Sequence, residues 1–251
     1  MSEQEPLTTR PDATTQETLS AQAVRLLAEH CPDALGAVLG GSAGRGQARP
    51  TSDLDLAVLL PGSASSRREV IRHEGRPAEL FLHTLDDLPG AFARDRSLRR
   101  GTLLFVYAQG VPLLDPQGHV ARARANARAL LAAGPIPLTP AERERSRYVL
   151  TCWLDDLLDT PRAERYEQLA TADHLLREAA HLLTAHHGAW TGIGRWLPRR
   201  LLTADPELGE ALLRGHRTVA EHADPAPLAT AAEKVLELAG GPLREGYVQL
   251  H

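Results

Sequence analysis

The chain has 251 residues, of which 43% are hydrophobic and 24% charged, values typical of a globular protein with one large or two small domains. Two cysteines, Cys31 and Cys152, are too few for a disulfide framework, and no apolar run is long enough to span a membrane. Residues 1–15 lack the apolar centre of a signal peptide, so we expect a cytoplasmic protein. The net charge of −4 disfavours a nucleic-acid enzyme and suits a cationic partner.

The first predicted elements are a helix and two strands. Residues 1–14 are expected to be loose and residues 16–30 to be helical. The helical segment repeats apolar residues at helical spacing, namely Leu19, Ala23, Leu26 and Leu27. Apolar runs of strand length follow at residues 35–39 and 54–60, and both are expected to be buried.

A glycine-rich turn separates these strands and leads to a pair of aspartates. It reads Gly40-Gly41-Ser42-Ala43-Gly44-Arg45-Gly46, and Asp53 and Asp55 stand where the second strand begins. Side chains at i and i+2 of a strand share a face, which predicts two carboxylates roughly 6.5 Å apart. Paired carboxylates suit Mg²⁺, and glycines let backbone N–H groups approach a phosphate. Ser42 and Arg45 add a hydrogen bond and a positive charge, so the stretch predicts a site for a metal-bound nucleoside triphosphate.

The remainder of the first half alternates short strands and helices. A hairpin is predicted with arms at residues 70–72 and 78–83. A helix is expected to begin near Thr84, with two aspartates in its first turn and with Pro89 and Gly90 weakening it. Beyond it we expect a helix or strand at residues 103–108, a strand at 111–114 and a helix at 121–132.

The glycine turn and the aspartates resemble the signature of the nucleotidyltransferase superfamily, the DNA polymerase β-like enzymes. The resemblance rests on Gly41-Ser42, Arg45-Gly46 and Asp53-x-Asp55 in the right order, and this chain's size is closest to the antibiotic-modifying members such as kanamycin and lincosamide nucleotidyltransferases. The family has a third carboxylate on a nearby strand, and Glu79 fits that role, although it could instead face solvent. The resemblance implies two Mg²⁺ ions held by Asp53, Asp55 and Glu79, an NTP co-substrate such as ATP, and phosphate contacts from Gly41, Ser42 and Arg45.

A proline-rich break divides the chain. Residues 134–140 contain three prolines, and almost everything after them has helical periodicity. We therefore predict an α+β fold, with a small mixed-sheet domain at residues 1–134 and a helical bundle at 135–251. Thr139, Pro140 and Glu142 have the spacing of a helix cap with a capping box, and that helix should extend to about residue 159. Further helices are predicted at residues 162–186, 208–222 and 226–238.

The helical half carries two candidate functional features. Nucleotidyl transfer to a hydroxyl needs a base, and Asp155 is our first candidate among the acids of this half, with Asp156, Asp159 and Glu178 as the others. A solvated acidic face or an ion pair between helices is the alternative interpretation of these residues. The second feature is the stretch from Trp190 to Arg200, whose tryptophans flank a Gly-x-Gly turn. Arg195 in this stretch is a candidate nucleotide contact, whereas the alternative is a connection whose tryptophans fill the core.

The predicted activity is Mg²⁺-dependent transfer of a nucleoside monophosphate from an NTP to a hydroxyl of a small molecule, with release of pyrophosphate. An aminoglycoside-like or lincosamide-like acceptor is expected, and nucleic acid and membrane are not expected as partners. One alternative is an antitoxin-type enzyme that adenylylates a protein, and another is a nucleotide-binding member that has lost catalysis. The oligomeric state stays open, with a homodimer as one candidate.

Overall fold

The computed structural model describes residues 13–49 and 51–248, with side chains described from residue 17. These residues divide into two compact units between Ala133 and Gly134. The first contains a five-stranded mixed sheet with helices, and the second is helical, which confirms the α+β class. None of the helices in the described ranges has the length and apolar character needed to cross a bilayer.

The sheet of the first unit has the strand order β3-β4-β2-β1-β5. Its strands are β1 (Gly36–Leu39), β2 (Leu54–Leu60), β3 (Arg67–His73), β4 (Arg76–Thr84) and β5 (Val111–Leu114). Strands β2 and β4 pair in parallel, and every other pairing is antiparallel. The helices are α1 (Ala13–His30), α2 (Gly41–Gly44), α3 (Leu88–Ser97), α4 (Thr102–Gln109) and α5 (His119–Ala132). The expected strand at residues 54–60 and the hairpin are confirmed, as is the strand at 111–114.

One face of the sheet packs against α1. The four apolar residues that predicted this helix are all buried and belong to one core with alternate residues of β2 and β4: Leu54, Leu56, Val58, Leu60, Ala78, Leu80 and Leu82. Those strand residues therefore point to α1, and their neighbours in sequence point to the opposite face. The opposite face is covered in part by α4 and α5, where Val106 lies close to Gly40 and Val120 close to Gly36.

Helices α1 and α3 of this unit begin at residues other than those expected. Helix α1 begins at Ala13, so residues 13 and 14 are helical and not loose, whereas residues 1–12 lie outside the described range. Helix α3 begins at Leu88 and not near Thr84, because the Thr84 hydroxyl accepts a hydrogen bond from the Asp87 backbone N–H at 3.1 Å and so closes a turn before the helix. Pro89 then lies in the first helical turn, where its missing N–H costs nothing, so it does not weaken the helix.

The second unit consists of five helices within its described residues. They are α6 (Pro140–Asp159), α7 (Arg165–His186), α8 (Trp196–Ala204), α9 (Pro206–His222) and α10 (Ala226–Ala239). They share a separate core of leucines and alanines. Thr139 and Glu142 form the predicted capping box at the beginning of α6. Helix α8 was not predicted: residues from Trp196 onward are helical and not part of a loop, and the turn before them brings Gly192 close to the Trp196 backbone.

Candidate active site

Strand register places Asp55 and Glu79 side by side. In the parallel pairing of β2 with β4, Asp55 lies opposite Glu79, just as Leu54 lies opposite Ala78. Neighbouring strands are about 4.8 Å apart, and paired residues share a face of the sheet. Leu54 and Ala78 point to the core under α1, so the two carboxylates point to the other face. Two acids 24 residues apart in sequence thereby become neighbours.

The glycine turn wraps around Asp55. Strand β1 pairs with β2 up to Leu39 opposite Leu56, and the Gly40 N–H then donates to the Asp55 carbonyl at 2.7 Å. Gly41 has φ of +60°, and a Cβ at that position would lie 1.7 Å from Asp55 Oδ2. The turn therefore needs glycine at residue 41 for two reasons: the backbone conformation and the space that the carboxylate occupies.

Ser42 and Arg45 belong to the short turn of helix that follows. Helix α2 contains one turn, closed by a hydrogen bond from Gly44 N–H to Gly40 C=O at 2.6 Å. Ser42 is buried in this turn and Arg45 is half-buried next to it. Both residues thus lie on the segment that follows Gly41, the residue next to the Asp55 carboxylate.

Asp53 lies just before β2 and is half-buried. The segment before β2 is tied down by Arg76, whose guanidinium donates to the Ser52 carbonyl and to Gln22 Oε1, the latter at 3.1 Å. Arg76 was not among the predicted site residues. The hairpin prediction placed it in the turn, whereas the packing of α1 against the sheet brings Gln22 to its side chain and the pairing of β2 with β4 brings Ser52 there.

A cation already contacts the predicted third carboxylate. Arg68, on the edge strand β3, forms an ion pair with Glu79 Oε1, and its guanidinium lies 5.3 Å from the centre of the Phe81 ring. The Arg68 side chain is 65% exposed, whereas the Glu79 side chain is only 17% exposed. Arg68 was not among the predicted site residues, because the hairpin arm was predicted from residue 70 onward. The alternation of β3 and its pairing of Arg68 with Phe81 place it on the carboxylate face.

Two of the predicted donors have the chemistry of ligands for a divalent cation, but the predicted set of three is not gathered around one point. Asp55 and Glu79 are carboxylates on one face of the sheet, which is the oxygen chemistry that Mg²⁺ prefers, and Gly41 leaves room for the first of them. Within residues 13–49 and 51–248, however, no three His, Cys, Asp or Glu side chains converge in an arrangement that could hold a metal ion. Glu79 is paired with Arg68 instead.

The candidate bases lie in the second unit and differ in their surroundings. The Asp155 carboxylate accepts two hydrogen bonds from Arg244, at 2.8 and 2.5 Å, and this guanidinium holds its pKa below the ordinary value. Burial raises the pKa of Glu178, on α7, with Arg145 and His174 opposing the shift. Asp156 is exposed on α6. The structure therefore gives Glu178 the more basic carboxylate.

In the tryptophan-containing stretch of the second unit, some of the arginines contact a tryptophan of the same helix. Arg195 is exposed at the beginning of α8. The guanidinium groups of Arg199 and Arg200 lie 4.9 and 5.4 Å from the centre of the Trp196 ring, respectively. Both arginines thus make cation–π contacts with Trp196, which has a role within α8 itself.

Comparison with known proteins gives a family match within the first unit. Residues 24–101 match the family described as nucleotidyltransferase domain, a stretch that contains the glycine turn and the acids Asp53, Asp55 and Glu79. No curated protein shows a significant match to the chain. Among solved structures, the chain is similar to a nucleotidyltransferase-like protein from Exiguobacterium sibiricum 255-15, with 17% identity and a TM-score of 0.44 over 88% of this chain and 77% of that chain. Residues 24–101 are therefore similar to a nucleotidyltransferase domain, and this match supports nucleotidyl transfer as the general activity.

Proposed function

We propose that the enzyme transfers a nucleoside monophosphate from an NTP, with ATP as the first candidate, to a hydroxyl of a small cationic acceptor of the aminoglycoside or lincosamide kind. The observation that supports this proposal most directly is the register of Asp55 with Glu79 beside the glycine turn. The net charge of −4 favours a cationic acceptor over nucleic acid.

Each predicted site residue of the first unit has a role in the proposed reaction. Asp53, Asp55 and Glu79 would hold Mg²⁺, which when bound neutralises the triphosphate charge and acidifies a bound hydroxyl. The Ser42 hydroxyl and the backbone N–H groups of the glycine turn hydrogen-bond phosphate oxygens, and Arg45 contributes a positive charge. Together they orient the α-phosphate for in-line attack.

The transfer itself exchanges one phosphorus–oxygen bond for another. The acceptor oxygen forms a bond to the α-phosphorus while the bond between the α-phosphorus and the bridging oxygen breaks, and pyrophosphate leaves. A carboxylate of α6 or α7 takes the acceptor proton, as Asp155 was predicted to do. Glu178 is the better base of the two because its pKa is raised, whereas Arg244 stabilises ionised Asp155 and makes it less basic. Arg195 is proposed as an additional contact to the nucleotide.

The test measures pyrophosphate release from ATP and Mg²⁺ in the presence of aminoglycosides and a lincosamide. Asp53→Asn and Asp55→Asn should each lower turnover by more than about a hundredfold, which is the upper end of what losing an outer-shell partner costs. Asp33→Asn is the matched control, because it removes the same charge from an exposed turn, and its turnover should equal that of the wild type. Full turnover in both site variants would exclude the proposed metal site. ATP binding without pyrophosphate release by the wild type would favour the non-catalytic alternative.

A further inference from the structure

Arg68 is a charged group in contact with the candidate metal ligand Glu79, and it has no role in the function proposed above. Its ion pair with Glu79 crosses from β3 to β4 on the face that also carries Asp55. The other two arginines of β3 are engaged elsewhere: Arg67 pairs with Glu69, and Arg72 donates to the Gly75 carbonyl at 2.7 Å. Of the three, Arg68 is thus the one that contacts a candidate metal ligand.

The pair is poorly explained as a stabilising contact between the two strands. Strands β3 and β4 are already joined along seven residue pairs from Arg67–Leu82 to His73–Arg76. An ion pair with one highly exposed partner contributes little to stability because water screens it. The contact matters more for Glu79 than for Arg68, because the Glu79 carboxylate is mostly removed from water and a nearby cation compensates for the lost hydration.

A divalent cation would satisfy the same need, so the metal and the guanidinium compete for Glu79. We propose that Arg68 is a movable counter-ion of the site, which neutralises Glu79 until a metal–nucleotide complex replaces it and then turns to the triphosphate. This inference rests on the proposed function. The exposed position of Arg68 on an edge strand gives its side chain freedom to move, and a released guanidinium beside a triphosphate forms strong charge-assisted hydrogen bonds.

The inference predicts opposite effects of one substitution on two ligands. Arg68→Gln removes the competitor and should tighten the binding of Mn²⁺ alone by about two- to fivefold, as expected for the loss of an exposed ion pair. The same substitution should weaken the binding of a non-hydrolysable ATP analogue with Mn²⁺ by about tenfold, as expected for a lost charge-assisted contact. A purely structural role of Arg68 would not move the two affinities in opposite directions.

The experiment measures both affinities by isothermal titration calorimetry on the full chain, with thermal unfolding to verify the fold. Arg67→Gln is the matched control: it removes a neighbouring arginine from the same strand, and both affinities should stay at the wild-type values. Arg68→Lys retains the charge and should shift both affinities less than Arg68→Gln does. In a Glu79→Gln background, Arg68→Gln should no longer change Mn²⁺ affinity.

The outcomes separate this inference from the proposed function. Wild-type binding of Mn²⁺ that is lost in Asp55→Asn, together with unchanged or weaker Mn²⁺ binding in Arg68→Gln, would overturn the role of Arg68 and leave the metal site standing. Absence of Asp55-dependent Mn²⁺ binding in the wild type would overturn the metal site itself, and the role of Arg68 with it. Opposite shifts of the two affinities in Arg68→Gln alone support the inference.

Discussion

Gly41 connects the backbone of the turn to the chemistry of the site. Its φ of +60° belongs to the left-handed region, and the space that a Cβ would need is filled by the Asp55 carboxylate. Gly46, five residues later, has φ of +64° but nothing within 4 Å of its Cβ position. Substitutions at these two glycines can therefore distinguish the effect of backbone strain from the effect of displacing the Asp55 carboxylate.

Gly41→Ala should disable the site, whereas Gly46→Ala should only lower stability. Both substitutions place alanine in a left-handed conformation and should cost about 1–2 kcal/mol of unfolding free energy. Only Gly41→Ala also pushes Asp55 aside, so Mn²⁺ affinity and turnover should fall by more than about tenfold in this variant alone. Urea unfolding and calorimetric titration of both variants test this expectation. Equal metal affinities in the two variants would show that Asp55 does not depend on the space at Gly41.

At the scale of elements, the beginning of α6 is defined by its own side chains. The Glu142 N–H donates to the Thr139 hydroxyl at 3.2 Å, and the Thr139 N–H donates to Glu142 Oε2 at 2.8 Å. Pro140 occupies the first turn. Helix α3 shows the opposite case, since a threonine and an aspartate at the right spacing form a turn that precedes the helix.

Thr139→Ala should lower the unfolding free energy of the helical unit by about 1 kcal/mol, because it leaves a helix-end N–H without its acceptor. All three tryptophans lie in this unit, so tryptophan fluorescence during urea unfolding reports on it. Thr218→Ala is the control: that hydroxyl donates to the Arg214 carbonyl within the exposed face of α9, and its loss should change stability by less than about 0.5 kcal/mol. A Thr139→Ala variant as stable as the control would mean that the cap contributes nothing.

At the scale of the whole molecule, the candidate functions are distributed over two units with separate cores. The proposed triphosphate and metal ligands lie in the first unit, and the candidate bases Asp155 and Glu178 lie in the second. The two bases differ in the direction of their pKa shifts, which makes them distinguishable by pH.

The pH dependence of turnover should identify the base. A base acts only when ionised, and the pKa of Glu178 is raised from 4.5, so turnover should fall as the pH drops through a value above 4.5. If Asp155 were the base, its pKa lowered from 3.8 would preserve turnover down to a pH below 3.8. Glu178→Gln should lower turnover by about two to four orders of magnitude and leave nucleotide affinity unchanged, and the same measurement on Asp155→Asn tests the residue first predicted. Unchanged turnover in both variants would exclude α6 and α7 as the source of the base.

Features that depend on neighbouring residues could be predicted from local patterns in the chain. Examples are the apolar run of β2, the helical spacing in α1 and the capping box of α6. Each of them involves residues only a few positions apart, so periodicity and spacing were sufficient to predict it. The glycine turn and the Asp53-x-Asp55 pair were recognisable for the same reason.

Contacts between side chains that are distant in sequence could not be predicted in this way. Arg68 contacts Glu79 because of the pairing between β3 and β4, and Arg244 contacts Asp155 across 89 residues of sequence. Such contacts depend on strand register and helix packing, and a shift of one residue in register would turn Arg68 to the other face of the sheet. The charges were visible in the sequence, but the partner that sets the basicity or the metal affinity of each carboxylate was decided by packing.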